Sequence, residues 1–275
     1  MAAVALGRRW GFINTVGAEV IGPCFDKAYY FSEARASVQL GRRGYVDPSG
    51  RLAIQPRFDL GGDFSQGFAC VERKGRYGFV NPEGAEVIPL CFEDARGSSE
   101  GLAAVKARGR WGYVDLHGAF VIAPQFQDPV AGRFSGGLAR VCTGGHFGYI
   151  DRTGTMVIPP RFEMAFDFSE GRAAIKVDGR TGFIDVQGRM VITPKFQYAS
   201  PFSEGLARVK LNDEAGFIDL QGEMVIGPQF KLTGTFHQGL CLVTTEDAIG
   251  YINQEGEFVW EGPYVETSLG SDLRL

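Results

Sequence analysis

The side chains able to do chemistry are few and scattered. Three histidines, His117, His146 and His237, occupy unrelated positions, and no pair has the spacing of metal ligands. Five cysteines, Cys24, Cys70, Cys91, Cys142 and Cys241, form no Cys-x-x-Cys pair. A nucleophilic thiol needs a histidine held by a third group, and the spacing supplies none, so these read as small packing residues. No nucleophile elbow, phosphate loop or dinucleotide fingerprint is present; the glycine-rich run 132–137 lacks the loop lysine. Glu33, Glu100, Glu170 and Glu204 recur at one place, after a serine. Acid–base catalysis needs one site with distinct roles, so this repetition predicts hydrogen bonding in a turn. No cofactor is implied.

One constellation stands out as a binding surface. Cations cluster at Arg8-Arg9, Arg42-Arg43, Arg73-Lys74-Arg76 and Arg108-Arg110, beside the rings of Trp10, Tyr77, Trp111 and Phe147. Guanidinium groups beside aromatic faces can hold an anionic or flat ligand. The later equivalents run through His146 and Arg180 to Asn212-Asp213-Glu214 and Glu246-Asp247, so the polarity flips along the chain. Trp10, Arg42, Arg43, Arg73, Arg76, Tyr77, Arg108, Arg110, Trp111 and Phe147 are therefore the expected binding residues, and an acidic protein surface is the expected partner. The plainer alternative is that hairpin turns are charged because they are solvated.

What positions these residues is a repeat. Glycine, an aromatic, Ile or Val, then Asp or Asn recurs eight times, starting at Gly11, Gly44, Gly78, Gly112, Gly148, Gly182, Gly216 and Gly250, in steps of 33, 34, 34, 36, 34, 34 and 34. A second glycine follows each Asx by three residues, which fits a turn whose first side chain caps its own backbone. One Asx per turn is too few oxygens for calcium. A β-branched pair follows, as in Val191-Ile192, and neighbouring apolar residues on a strand predict burial on both faces. Then comes Pro-x-Phe, where proline ends the strand or marks an edge. A link of about ten residues carries Phe-Ser-Glu-Gly or a variant and leads to a Leu-Ala-x-Val strand. The recurring alanine there (Ala2, Ala36, Ala69, Ala103, Ala139, Ala173 and Ala207, with Cys241 in the last copy) predicts a close approach that larger side chains would block.

The combination (W/Y/F)G(F/Y)(I/V)(D/N)xxG, VI, PxF and FSEGLAxV resembles the WG-containing, or KWG, repeat family over about residues 1–264. The naming dipeptide survives at Trp10-Gly11 and Trp111-Gly112. Arg43, Thr181, Ala215 and Ile249 depart from it, Ser98 replaces the link phenylalanine of the third copy, and the fourth copy carries two extra residues around 129–132. The resemblance implies an all-β array with no shared enzymatic activity.

Three short strands per unit cannot bury both faces alone, so units must stack. The expected architecture is an open, curved β-solenoid or superhelix of eight three-stranded units, with a closed propeller-like ring as the alternative, since propeller blades usually need four strands. The units run approximately 1–32, 33–65, 66–99, 100–135, 136–169, 170–203, 204–237 and 238–264, before a tail at 265–275. A net charge of −4 offers no field for nucleic acid, and no apolar run is long enough to span a membrane. With no signal peptide in view, the expected location is the cytoplasm. The expected function is a non-enzymatic scaffold for protein–protein interaction; the alternative is a glycan or cell-envelope binder using its repeated aromatics.

Overall fold

The computed structural model describes residues 1–14, 16–127 and 131–263, so the tail assigned to 265–275 lies outside them. The described residues form strands and turns without a helix, and hence none that is long and apolar enough to cross a membrane. The chain divides into two compact units, Met1–Phe134 and Ser135–Leu275, each with four separate antiparallel sheets.

One sheet illustrates the plan. Its strands are Met164–Ala165, Ala173–Val177, Arg180–Ile184 and Met190–Phe196, hydrogen-bonded in that order. We call them the link, alanine, aromatic and isoleucine strands. Every ladder joins strands consecutive in sequence, and none joins one sheet to the next; each four-stranded sheet takes its link strand from the end of the preceding expected unit, as Lys27–Ser32 pairs with Arg35–Leu40. That is the blade of a β-propeller, and the propeller-like alternative is the fold; the open solenoid is corrected. The misjudged quantity is the strand count. The link is not a bare connection: its first residues, such as Leu60–Ser65 or Tyr198–Ala199, pair with the alanine strand that follows. Thirty-four residues thus yield four strands. Only the sheets at Ala2–Phe25 and Leu138–Phe162 have three among the described residues.

The core lies between successive sheets. Phe183, Ile192 and Phe196 of one sheet pack against Ala199, Phe202, Ala207, Val209 and Ile218 of the next. The signature aromatic meets the phenylalanine of the link that follows it, at interplanar angles of 51° for Phe183–Phe202, 67° for Phe217–Phe236 and 72° for Tyr45–Phe64. Centroids are 4.9 Å apart for Phe183–Phe202 and for Phe217–Phe236, and 5.1 Å for Tyr45–Phe64. Such a pair adds about 1 kcal/mol to the burial of its rings. The alanine strand supplies the close approach expected of it: Ala69 and Ala207 are fully buried in the clusters of Tyr45–Phe64 and Phe183–Phe202, and Ala173 in that of Tyr149 and Phe168.

The signature glycine has a steric cause. A Cβ on Gly182 would lie 2.5 Å from the Ile192 carbonyl oxygen and 2.7 Å from the Pro194 nitrogen. The same overlap recurs at Gly11, Gly44, Gly78, Gly112, Gly148 and Gly216. The isoleucine strand bulges over this glycine, shifting register between Thr181↔Phe196 and Phe183↔Ile192. Proline sits within that bulge, on a strand that is an edge of its sheet, where a missing N–H costs no ladder bond. Burial on both faces of the isoleucine strand is corrected: Ile192 is buried while Val191 is exposed, as are Val121, Val157 and Val225 beside their isoleucines. Only one face of an edge strand is covered by a neighbouring sheet.

Candidate functional site

The Asx turns close on themselves, as expected. Asp47 Oδ1 accepts from the Ser49 and Arg51 amides at 2.9 and 3.1 Å, and Gly50 lies at φ +85°. The Ser49 hydroxyl also donates to this carboxylate, which holds its pKa below the usual range. The glycine does a second job: a side chain on Gly188 would collide with Ile158 of the preceding sheet.

The Ser-Glu turns close through their backbones, as between Ser203 and Leu206, while their side chains bond across repeats. Ser169 and Ser203 donate to the carbonyls of Phe202 and Phe236, at 2.7 and 2.8 Å. Glu204 accepts from the amides of Gln238 and Gly239 at 2.6 and 2.8 Å, and Glu33 does the same for Gln66 and Gly67 at 2.7 and 2.8 Å. The Gly239 amide is the chief cause of the lowered Glu204 pKa. Each carboxylate thus caps a turn whose two central residues, such as Gln238 and Gly239, both have positive φ. Glu204→Ala is expected to speed hydrogen exchange at Gln238 and Gly239 while leaving the aromatic strand Glu214–Ile218 unchanged. Unaltered rates at those two amides would remove the capping role.

The expected binding residues separate into two sets. Arg42, Arg76 and Arg110 are exposed at hairpin ends, but each donates to a backbone carbonyl fifteen residues on, at Arg57, Cys91 and Gln125, over 3.2, 3.4 and 3.1 Å. Arg9 does the same to Cys24 at 3.2 Å. These arginines fasten the aromatic strand to the bulged isoleucine strand. Arg73 pairs with Glu86 at 3.0 Å. Arg43 lies over the Tyr29 ring and donates to its hydroxyl. The exposed Arg108 makes no side-chain hydrogen bond or ion pair among the described residues; with Arg8 and Lys74 it forms the cationic tips of the first, third and fourth such hairpins. The aromatics point the other way. Trp111 is 1% exposed and Phe147 7% exposed, while Trp10 and Tyr77 are half-buried. They are core residues more than stacking platforms.

The residue after Pro-x-Phe meets the next hairpin turn and reverses sign with it only in the last repeat. At the acidic turn 212–214 it is the neutral Gln197, which accepts from the Asp213 amide at 3.0 Å. Asp26, Asp59, Glu93 and Glu163 accept from the amides of the next hairpin turn, Gly41, Lys74, Gly109 and Gly179, at distances from 2.7 to 3.3 Å. Asp26 and Asp59 also pair with Arg9 and Arg42 at 2.7 and 3.6 Å. In the last repeat this position is Lys231, and the turn it meets carries Glu246 at 3.0 Å. There the turn and its neighbour change sign together. An imbalance still remains between the units: 16 Lys and Arg against 14 Asp and Glu in 1–134, but 12 against 18 in 135–275.

A surface that the sequence did not disclose lies on the second unit. Its isoleucine strands expose Met156-Val157, Met190-Val191 and Met224-Val225, each side chain 36–45% accessible, and then Phe258, Val259 and Trp260. These lie at one repeat position on four edge strands.

A family model described as WG containing repeat matches seven stretches of the chain, residues 10–42, 44–77, 77–111, 111–145, 147–180, 182–214 and 216–247. Each opens at a signature glycine or the residue before it. No curated protein matches the chain. Among solved structures, a crystal structure of the eukaryotic initiation factor superposes with a TM-score of 0.67 at 12% identity, covering 95% of this chain and 85% of that one. The dihydro-heme d1 dehydrogenase NirN gives 0.54 at 13% identity, over 86% and 65%. Hsv2p of Kluyveromyces lactis gives 0.54 at 10%, over 87% and 97%. At these identities the likeness concerns the fold alone.

Proposed function

The chain belongs to the WG-containing repeat family, and on that footing we propose that it is a non-catalytic scaffold that binds a protein partner. The observation that carries this is the row of exposed apolar pairs on the second unit, Met156-Val157, Met190-Val191 and Met224-Val225. Burying one such Met-Val pair against a partner is worth about 2–3 kcal/mol before the cost of association. The prolines that follow each pair discourage continuous strand addition, so the row favours side-chain contacts over β-augmentation.

The first unit offers a different surface. Arg8, Lys74 and Arg108 at its hairpin tips are better placed for an acidic partner than Arg42, Arg76 and Arg110, which are committed to carbonyls. The glycan alternative receives less support, because Trp111 and Phe147 are buried.

The test is capture from source-cell lysate at low and high salt, with the wild-type chain and two variants. One carries Met190→Ser, Val191→Ser, Met224→Ser and Val225→Ser; the other carries Arg8→Glu, Lys74→Glu and Arg108→Glu. One protein is expected on the wild type at both salts and not on the serine variant, with its low-salt yield reduced on the glutamate variant. Identical retention by all three chains would defeat the proposal. Enrichment of cell-wall or glycan material instead would turn it toward envelope binding.

A further inference from the structure

A cleft of about 260 Å³ opens within the first unit, where three departures from the repeat meet. Arg43 stands where other copies carry an uncharged residue, a ring in four of them and Thr181, Ala215 or Ile249 in the rest. Arg96 and Arg133 come from the links of the third and fourth copies. Tyr77 and Cys70 complete the wall beside them.

The space exists because of a missing side chain. Gly61 pairs with Val71 as Ala28 pairs with Val38 and Ala165 with Ile175. The following residue is therefore Tyr29, Gly62 and Phe166 in these three copies, and Gly62 leaves the position empty, as Gly234 does after Thr233 in the last sheet. A Cβ on Gly62 would meet one atom, the Cys70 carbonyl oxygen, at an ordinary 3.5 Å, and its φ is not left-handed. Nothing in the backbone demands glycine there.

Guanidinium groups outnumber carboxylates in the lining of the cleft. Its lining holds three guanidinium groups and one carboxylate, Glu72, which is engaged with the Gly75 amide of its own turn. Asp94, nearby, reaches Arg96 at 3.4 Å. Arg43 is held by neutral partners, the Tyr29 hydroxyl and, at 3.4 Å, Ser37 Oγ. Planar guanidinium donors converging on one space suit carboxylate or phosphate oxygens, which they can bind through paired hydrogen bonds. The volume lies below the 300–1,000 Å³ typical of drug-sized ligands, so a molecule of few heavy atoms fits. Burial pushes the Cys70 thiol up to about 12, which keeps it protonated and unreactive beside an anion.

We propose that this cleft is a binding site for a small molecule bearing a carboxylate or phosphate group, held by Arg43, Arg96 and Arg133. It is independent of the protein-binding surfaces above.

The test titrates the full chain with inorganic phosphate and, separately, with malonate, by calorimetry and by the arginine Nε–Hε signals in NMR spectra. The variants are Arg96→Gln, which removes one charge, and Gly62→Phe, which installs the ring that Phe166 supplies at the equivalent position. Saturable binding by the wild type, weakened about tenfold or more in both variants, is expected, a tenfold loss being that of one charge-assisted hydrogen bond. Preference for phosphate or for malonate then assigns the anion. Matching unfolding midpoints for wild type and Gly62→Phe separate blockage from misfolding. No saturable binding of either anion, or equal binding by all three chains, would overturn the site.

Discussion

Gly182→Ala is expected to lower the stability of the protein by about 3 kcal/mol or more, a cost at the upper end of overpacking. The added methyl group would lie 2.5 Å from the Ile192 carbonyl oxygen and 2.7 Å from the Pro194 nitrogen, both backbone atoms that cannot rotate away. Relief requires the isoleucine strand to lift. Its Ile192 and Phe196 side chains would then leave the core shared with Phe202 and Ala207. Gly227→Ala is the control. It lies on the equivalent strand of the next sheet, and nothing stands within 4 Å of where its Cβ would go. There the change is expected to be neutral or to stabilise by up to about 1 kcal/mol, by restricting the unfolded chain. Urea unfolding of both variants decides the matter. Equal midpoints would mean that the bulge over the signature glycine yields freely and that this glycine is not what fixes the repeat.

That contrast also explains what could be read in the sequence. The signature glycines recur because each faces a carbonyl of its own sheet, and the Asx-turn glycines recur because they need positive φ under a neighbouring isoleucine. Backbone constraints of this kind leave the same letter in every copy. The isoleucine strand was harder. Val191-Ile192 looks doubly buried, because a pattern of apolar letters reports the side chains and not whether a neighbour covers each face. The link strand Tyr198–Ala199 is two residues long, too short for alternation to appear, so the fourth strand of each blade was missed. Arg110 in a turn is spelled the same whether it reaches a carbonyl or a partner. Arg43 and Ser98 were legible as exceptions, but the cleft beside Arg43 required knowing that Gly62 sits where another copy places Phe166.

A second large effect is expected in alkali. Tyr45 and Tyr149 are fully buried, donate to the carbonyls of Gly62 and Phe166 at 2.8 and 2.7 Å, and are held far above the ordinary phenol pKa by that burial. A phenol that binds its proton more tightly folded than unfolded stabilises the fold below pH 10. Above it, the unfolded chain loses protons that the folded chain keeps, and stability falls. Each such group costs about 1.4 kcal/mol per pH unit, so the pair costs about 2.7 kcal/mol per unit above pH 10. The Cys70 thiol, raised from 9 to about 12, acts in the same direction from pH 9. Urea midpoints at pH 8, 10 and 11 should therefore drop steeply for the wild type. Tyr45→Phe with Tyr149→Phe should begin lower at pH 8, having lost two hydrogen bonds worth about 1 kcal/mol each, yet fall less from pH 10 to 11. If the double variant falls as steeply as the wild type, the alkaline loss lies in other groups, and these two tyrosines do not couple folding to pH.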